Sequence, residues 1–242
     1  MLGKNSPPPL SQDTTFPSPS QSDETTLTNT AGPVVVSVGQ LQHPLTSKGL
    51  RLLRRIQSYL RQGDRAKAQQ EFRQALKEQS AAPYARALIG TDYLRNGESA
   101  AAVAELEKAA QVLPLASVHS NLGYALSLTG DTPRGQKELE EALRLDATSR
   151  QAQFVLGVLL LDHRSRDHEA LENLRGAQQQ VPEAHMALAV FYVRDRNYDA
   201  AEQEIRGFLG PDRSAEFTDA WNWACLVAAG PKPATAFGLD RQ

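Results

Sequence analysis

Residues 120–142 read SNLGYALSLTGDTPRGQKELEEA, and this stretch sets the pattern for most of the chain. Leu122 and Gly123 lie inside one run of helical spacing, Gly130-Asp131 breaks it, and Gly135, Leu139 and Ala142 mark a second run. The outline is a helical hairpin with small residues where two helices must approach closely.

Similar stretches stand on either side. In the first helix of each unit an apolar residue recurs at Ile89, Leu122, Leu156 and Leu188, at spacings of 33, 34 and 32. The next residue is small each time: Gly90, Gly123, Gly157 and Ala189. The second helix carries Ala68, Ala102, Gly135, Ala170 and Ala201. Four residues on come Phe72, Leu106, Leu139, Leu174 and Ile205, then Ala75, Ala109, Ala142 and Ala177, with Phe208 breaking the series. Gly63-Asp64, Gly97-Glu98 and Gly130-Asp131 mark the tight turns, and Pro114 and Pro182 close units two and four. A single hairpin of this kind cannot bury both its faces, so neighbours must stack.

This ladder of apolar–small in one helix and small, large-apolar, Ala in the next resembles the tetratricopeptide repeat, in about five copies over residues 49–215. Three features depart from that pattern. Arg55-Ile56 stands where apolar–Gly is expected, unit five ends in Phe208, and unit four gains a residue in its turn, DHRSRDH at 162–168. The resemblance implies an all-α fold, a right-handed superhelical solenoid of about five hairpins plus a C-terminal capping helix. The units are 49–82, 83–115, 116–149, 150–181 and 182–215, within a repeat region of 46–215. The cap is expected at 216–230, where Trp221 takes an aromatic place and Ala224-Cys225 the small pair, followed by a loose tail over 231–242. Thr46 and Ser47 are the candidate N-caps of the opening helix. Ahead of it, residues 1–45 form a Ser/Thr/Pro-rich tail expected to be disordered, with a short extended piece at Val34–Val38.

In this family the first helices line a concave surface along which peptides lie. Transferred to this chain, that groove comprises Tyr84, Thr91, Ser120, Tyr124, Phe154, Val158, Leu161, Met186 and Val190. It runs from polar-aromatic to apolar, and exposed apolar side chains of that kind mark an interaction surface. The family's clamp for a C-terminal carboxylate needs Lys and Asn in the opening helix, where Leu53 and Gln57 stand instead. The expected partner is therefore a peptide or helix of another protein with two or three apolar anchors. Self-association, with the groove filled by the chain's own tail or a second copy, is a further reading.

Composition closes other routes. Net charge is −2, so no global field draws the chain to nucleic acid or anionic lipid. The charge is unevenly dealt, however. Residues 49–82 hold eight basic against three acidic residues, a net +5, while 83–213 hold fourteen against nineteen, a net −5. The basic first repeat is the one support for the alternative, an RNA-binding helical-repeat protein. Cys225 is the only cysteine and occupies a place that wants a small residue. Asp162, His163, Asp167 and His168 are capable ligands, but Arg164 and Arg166 interleaved among them oppose a cation, so no metal or other cofactor is expected. His119 and His185 hold equivalent places in units three and five and are read as repeat features. No nucleotide, hydrolase or zinc-protease motif is present, and the chain reads as a non-enzymatic interaction scaffold. No apolar run approaches a membrane span, and MLGKNSPPPL has no signal-peptide core. The default location is thus the cytoplasm, or outside the cell if the natural start lies upstream.

Overall fold

The computed structural model describes residues 45–230 and 233–237. The expected tail over 1–44, with its extended piece at Val34–Val38, lies outside the described residues. Among those described every regular element is helical. They divide into two compact units, the first ending at Ala152 and the second beginning at Gln153.

The first unit contains α1 (Ser47–Arg61), α2 (Arg65–Ala75), α3 (Ala82–Arg95), α4 (Ser99–Ala110), α5 (Ala116–Leu128) and α6 (Thr132–Leu145). They pair as the hairpins α1–α2, α3–α4 and α5–α6, and α4 packs on α5. Thr46 opens the array by accepting the Gly49 N–H at 3.0 Å, which satisfies one of the N–H groups a helix start leaves without an intrahelical partner. At the hairpin turns the chain passes through the left-handed region, with Gly130 at φ 82°, and at the first and third turns the next residue caps the second helix. Asp64 accepts the Lys67 N–H at 3.0 Å, and Asp131 accepts that of Arg134 at 3.4 Å. Gly-Asp is therefore a turn and a cap in two residues.

The hairpins close at the small residues. A Cβ at Gly90 would lie 2.5 Å from Leu106 Cγ, and one at Gly123 would lie 2.6 Å from Leu139 Cγ and 2.9 Å from the Gly135 carbonyl oxygen. At these two crossings the side chain of the second helix lies directly on the backbone of the first. In the first hairpin Ile56 takes the small residue's place and is fully buried in one core cluster with Leu53, Phe72 and Tyr84. Arg55, which replaces the apolar residue before it, turns outward to pair with Glu71 at 2.6 Å.

The second unit contains most of α7 (Arg150–Leu160), then α8 (Asp167–Ala177), α9 (Glu183–Arg194), α10 (Tyr198–Leu209), α11 (Phe217–Ala229) and a single helical turn, α12 (Pro233–Ala236). Gly157 repeats the close crossing, its Cβ position 2.8 Å from Leu174 Cγ. The longer turn of unit four is absorbed by a 3-10 turn at Arg164–Arg166. The next hairpin turn has Arg196 at φ 60° where the three hairpins of the first unit have glycine, with Asn197 capping the Ala200 N–H at 3.2 Å. Helix α11 packs on α9 and α10, and Phe217 lies between the stacked ring of Trp221 and the guanidinium of Arg206. The sequence reading treated 231–242 as a loose tail. Within it, Pro233–Ala236 instead forms α12, held by the Ala234 N–H donating to Asp162 Oδ1 at 3.0 Å.

These contacts separate two glycines of similar sequence standing. Gly123→Ala forces a methyl group onto backbone and a packed leucine, and overpacking of this kind costs about 1–3 kcal/mol. At Gly176 the three atoms nearest an added Cβ all belong to the end of the Gln153 side chain and none to backbone, so Gly176→Ala is expected to stay within about 1 kcal/mol of the parent. Urea midpoints that fall for the first variant and hold for the second would bear this out; equal losses would misplace the crossing.

Candidate functional site

The nine groove positions fall on first helices, as their spacing requires, but they are not uncovered. In the first unit Tyr84 belongs to the core cluster with Leu53, Leu113 and Val118. Thr91 is buried as well. Its hydroxyl donates to the Ala87 carbonyl at 2.8 Å and accepts from Asn121 Nδ2 at 3.0 Å, a polar link between α3 and α5. Ser120 is fully buried and its hydroxyl makes no hydrogen bond. Tyr124 alone of the nine is half-buried.

In the second unit Phe154, Val158 and Leu161 stand on one face of α7 and its C-terminal end, spaced i, i+4 and i+7, with Met186 and Val190 on α9. All five are buried, four of them at 0% exposure and Phe154 at 4%. The expectation of an open apolar face is therefore corrected. The physical reason is visible at Phe154, whose ring meets that of Phe237 edge-on at 6.4 Å. Phe237 in turn meets Trp223 of α11 edge-on at 5.3 Å. The C-terminal turn thus covers part of the surface that the repeat pattern alone leaves bare. At the end of α7 the Arg194 guanidinium donates to the Leu161 carbonyl. Burial, together with the neighbouring Arg164, pushes the Arg194 pKa down, while Asp167 and Asp162 oppose that.

A second recurring set includes His119 and His185, read from the sequence as repeat features, and adds their partners and Arg86. Arg86 pairs with Glu105 at 2.6 Å, His119 with Glu138 at 2.7 Å, and His185 with Glu204 at 2.7 Å. Each pair joins the first helix of a hairpin to its second, 19 residues on. Gln153 holds the same place in unit four and faces Gly176. The signal for the full set was the spacing 86, 119, 153, 185, hidden because the residue type changes at each step. Burial of Glu105 alone would raise its pKa, but hydrogen bonds from Lys108 and Arg86 outweigh that and hold its carboxyl below the usual range. These pairs lie at the hairpin flank and brace it; a partly exposed ion pair such as Arg86–Glu105 contributes about 1 kcal/mol or less.

The remaining candidates do not converge. Among the described residues no group of three or more His, Cys, Asp or Glu side chains is placed to hold a metal ion. Asp162 is engaged by the Ala234 N–H, and the exposed His168 stands 3.8 Å from Glu172. Cys225 is half-buried on α11, and that burial pushes its thiol pKa up, away from a reactive thiolate. Among the described residues no helix is long and apolar enough to cross a membrane.

A run of helical hairpins with glycine–leucine crossings and capped Gly-Asp turns defines a helical-repeat protein. The tetratricopeptide repeat model matches residues 53–117 and again 168–216, that is, hairpins in each of the two compact units. The chain is a tetratricopeptide-repeat protein. No curated protein gave a significant match to the sequence. Repeats of this family generally serve as non-enzymatic scaffolds for protein–protein interaction.

Because Val190 is fully buried, Val190→Asp would strand an unpaired charge among apolar side chains. It is expected to cost about 3 kcal/mol or more, whereas Tyr124→Ala on the half-buried side should cost roughly 1 kcal/mol. Chemical denaturation of the two variants checks this; a Val190→Asp protein as stable as the parent would show that α9 is open on that side.

Proposed function

We propose that this chain is a non-enzymatic scaffold that binds a peptide or short helix of a partner protein on the first helices α7 and α9. The observation that supports the reading is the double-sided character of α7. One side closes the hairpin through Gly157 and Leu174. Phe154, Val158 and Leu161 form an adjoining apolar stripe along α7 and its C-terminal end. Phe154 is completed by a ring from a segment far along the chain instead. A helical peptide presenting two or three apolar anchors has the chemistry to take such a place. The basic first repeat gives little support to an RNA-binding reading, since Arg55, Arg65 and Lys67 are already engaged by Glu71, Asp92 and Asp64.

Selection of a displayed random-peptide library on the full chain tests this. Enriched peptides should carry apolar anchors at helical spacing, and Phe154→Leu should weaken their binding about tenfold or more. Peptides indifferent to Phe154, or capture of RNA that weakens steeply with salt, would overturn the proposal.

A further inference from the structure

The C-terminal turn is the one part of the second unit whose position the repeat does not dictate. Helix α11 ends at Ala229, and Gly230 turns the backbone extended, with ψ at 155°. The chain then re-enters the fold as α12. Pro233 and Ala234 are buried, and Phe237 is half-buried between Phe154 of α7 and Trp223 of α11. Both ring contacts are edge-on, at interplanar angles of 81° and 89°, a preferred arrangement for aromatic pairs. The Ala234 N–H, 72 residues away in sequence, is received by the carboxylate of Asp162 just past the end of α7. The Phe237 N–H closes the turn onto the Ala234 carbonyl at 3.1 Å. The seat thus has an aromatic slot and a carboxylate acceptor, and it is met by a small residue with an aromatic three positions later.

The segment has the properties of a bound ligand more than those of a repeat helix. It is four helical residues and one ring, it follows a Gly-Pro break in the sequence, and its Ala234 N–H bonds to the side chain of Asp162. We propose that residues 233–237 are an exchangeable intramolecular ligand of the α7–α11 groove. The partner recognised there is a peptide presenting one helical turn with a small residue followed three positions later by an aromatic ring. This inference rests on the scaffold reading above and adds the partner's chemistry and its control. A tethered segment competes at an effective concentration on the order of millimolar, so an outside peptide binds only when it outcompetes the tail or when the tail is withdrawn. The groove is self-limited, and weak partners are excluded by the chain itself.

A labelled peptide of residues 231–242 is the probe, titrated by fluorescence anisotropy into the full chain and into its Phe237→Ser variant. The peptide should bind the variant at least tenfold more tightly than the parent, and a peptide carrying Phe237→Ser should bind neither. Equal binding to both chains, or no binding to the variant, overturns the proposal. Since the variant could lose its fold, the parent is measured as well. Saturating peptide should release the Ala234 amide and speed its hydrogen exchange at least tenfold, and unchanged protection counts against exchange. If the variant ignores this peptide yet binds library-selected peptides, the tail is no ligand but the scaffold reading stands. If it binds neither, both fall.

Discussion

Three of the hairpins in this protein depend on a side chain of one helix resting on the bare backbone of another. Leu106, Leu139 and Leu174 lie over Gly90, Gly123 and Gly157, so close that a methyl group at any of the three glycines would overlap the leucine. Burying these leucines completely supplies apolar free energy of roughly 2 kcal/mol each, and the close approach shortens the distance between helix axes. The Gly-Asp turns at 63–64 and 130–131 join the helices through the left-handed region, and the longer 3-10 connection of unit four serves the same close crossing. The flanking pairs Arg86–Glu105, His119–Glu138 and His185–Glu204 brace helices whose spacing the crossings have already set.

The same constraint shapes the rest of the first helix. A first helix held through one narrow stripe of small residues retains another stripe for other contacts. In α7 that second stripe is Phe154, Val158 and Leu161. A fully apolar stripe left bare in water is unfavourable, and the chain resolves this by folding its own C-terminal turn back so that Phe237 meets Phe154 and Trp223. In the proposed reading, partner binding and self-coverage are two consequences of one packing rule, since a surface apolar enough to hold a partner is apolar enough to recruit the chain's own tail.

The repeats were legible in sequence because the crossing imposes residue size at fixed places. Apolar–small at 89–90, 122–123 and 156–157 and the Leu ladder at 106, 139 and 174 are the same contacts later seen in space. The turns were legible for a similar reason, down to Thr46 as the opening cap. Exposure was not. Whether Phe154 or Tyr84 faces water depends on what covers it, and α12 carries no periodic signal: PATAF is five residues between Pro231-Lys232 and Gly238, placed by contacts with residues more than seventy positions earlier. Of the recurring braces only His119 and His185 were legible as equivalent, because Arg86 and Gln153 hold the same position with other residue types.

The central claim is that leucine on glycine, not general apolar character, fixes the hairpin, and the Gly90–Leu106 crossing isolates it because the nearest atoms to a Cβ at Gly90 all belong to Leu106. A double-mutant cycle of Gly90→Ala and Leu106→Ala, read by urea denaturation, measures the coupling directly. The account predicts that the double variant is more stable than the sum of the single losses requires, by about 1 kcal/mol or more, because removing the leucine makes room for the new methyl. Losses that add within about 0.5 kcal/mol would show that the two residues act independently, and would contradict it.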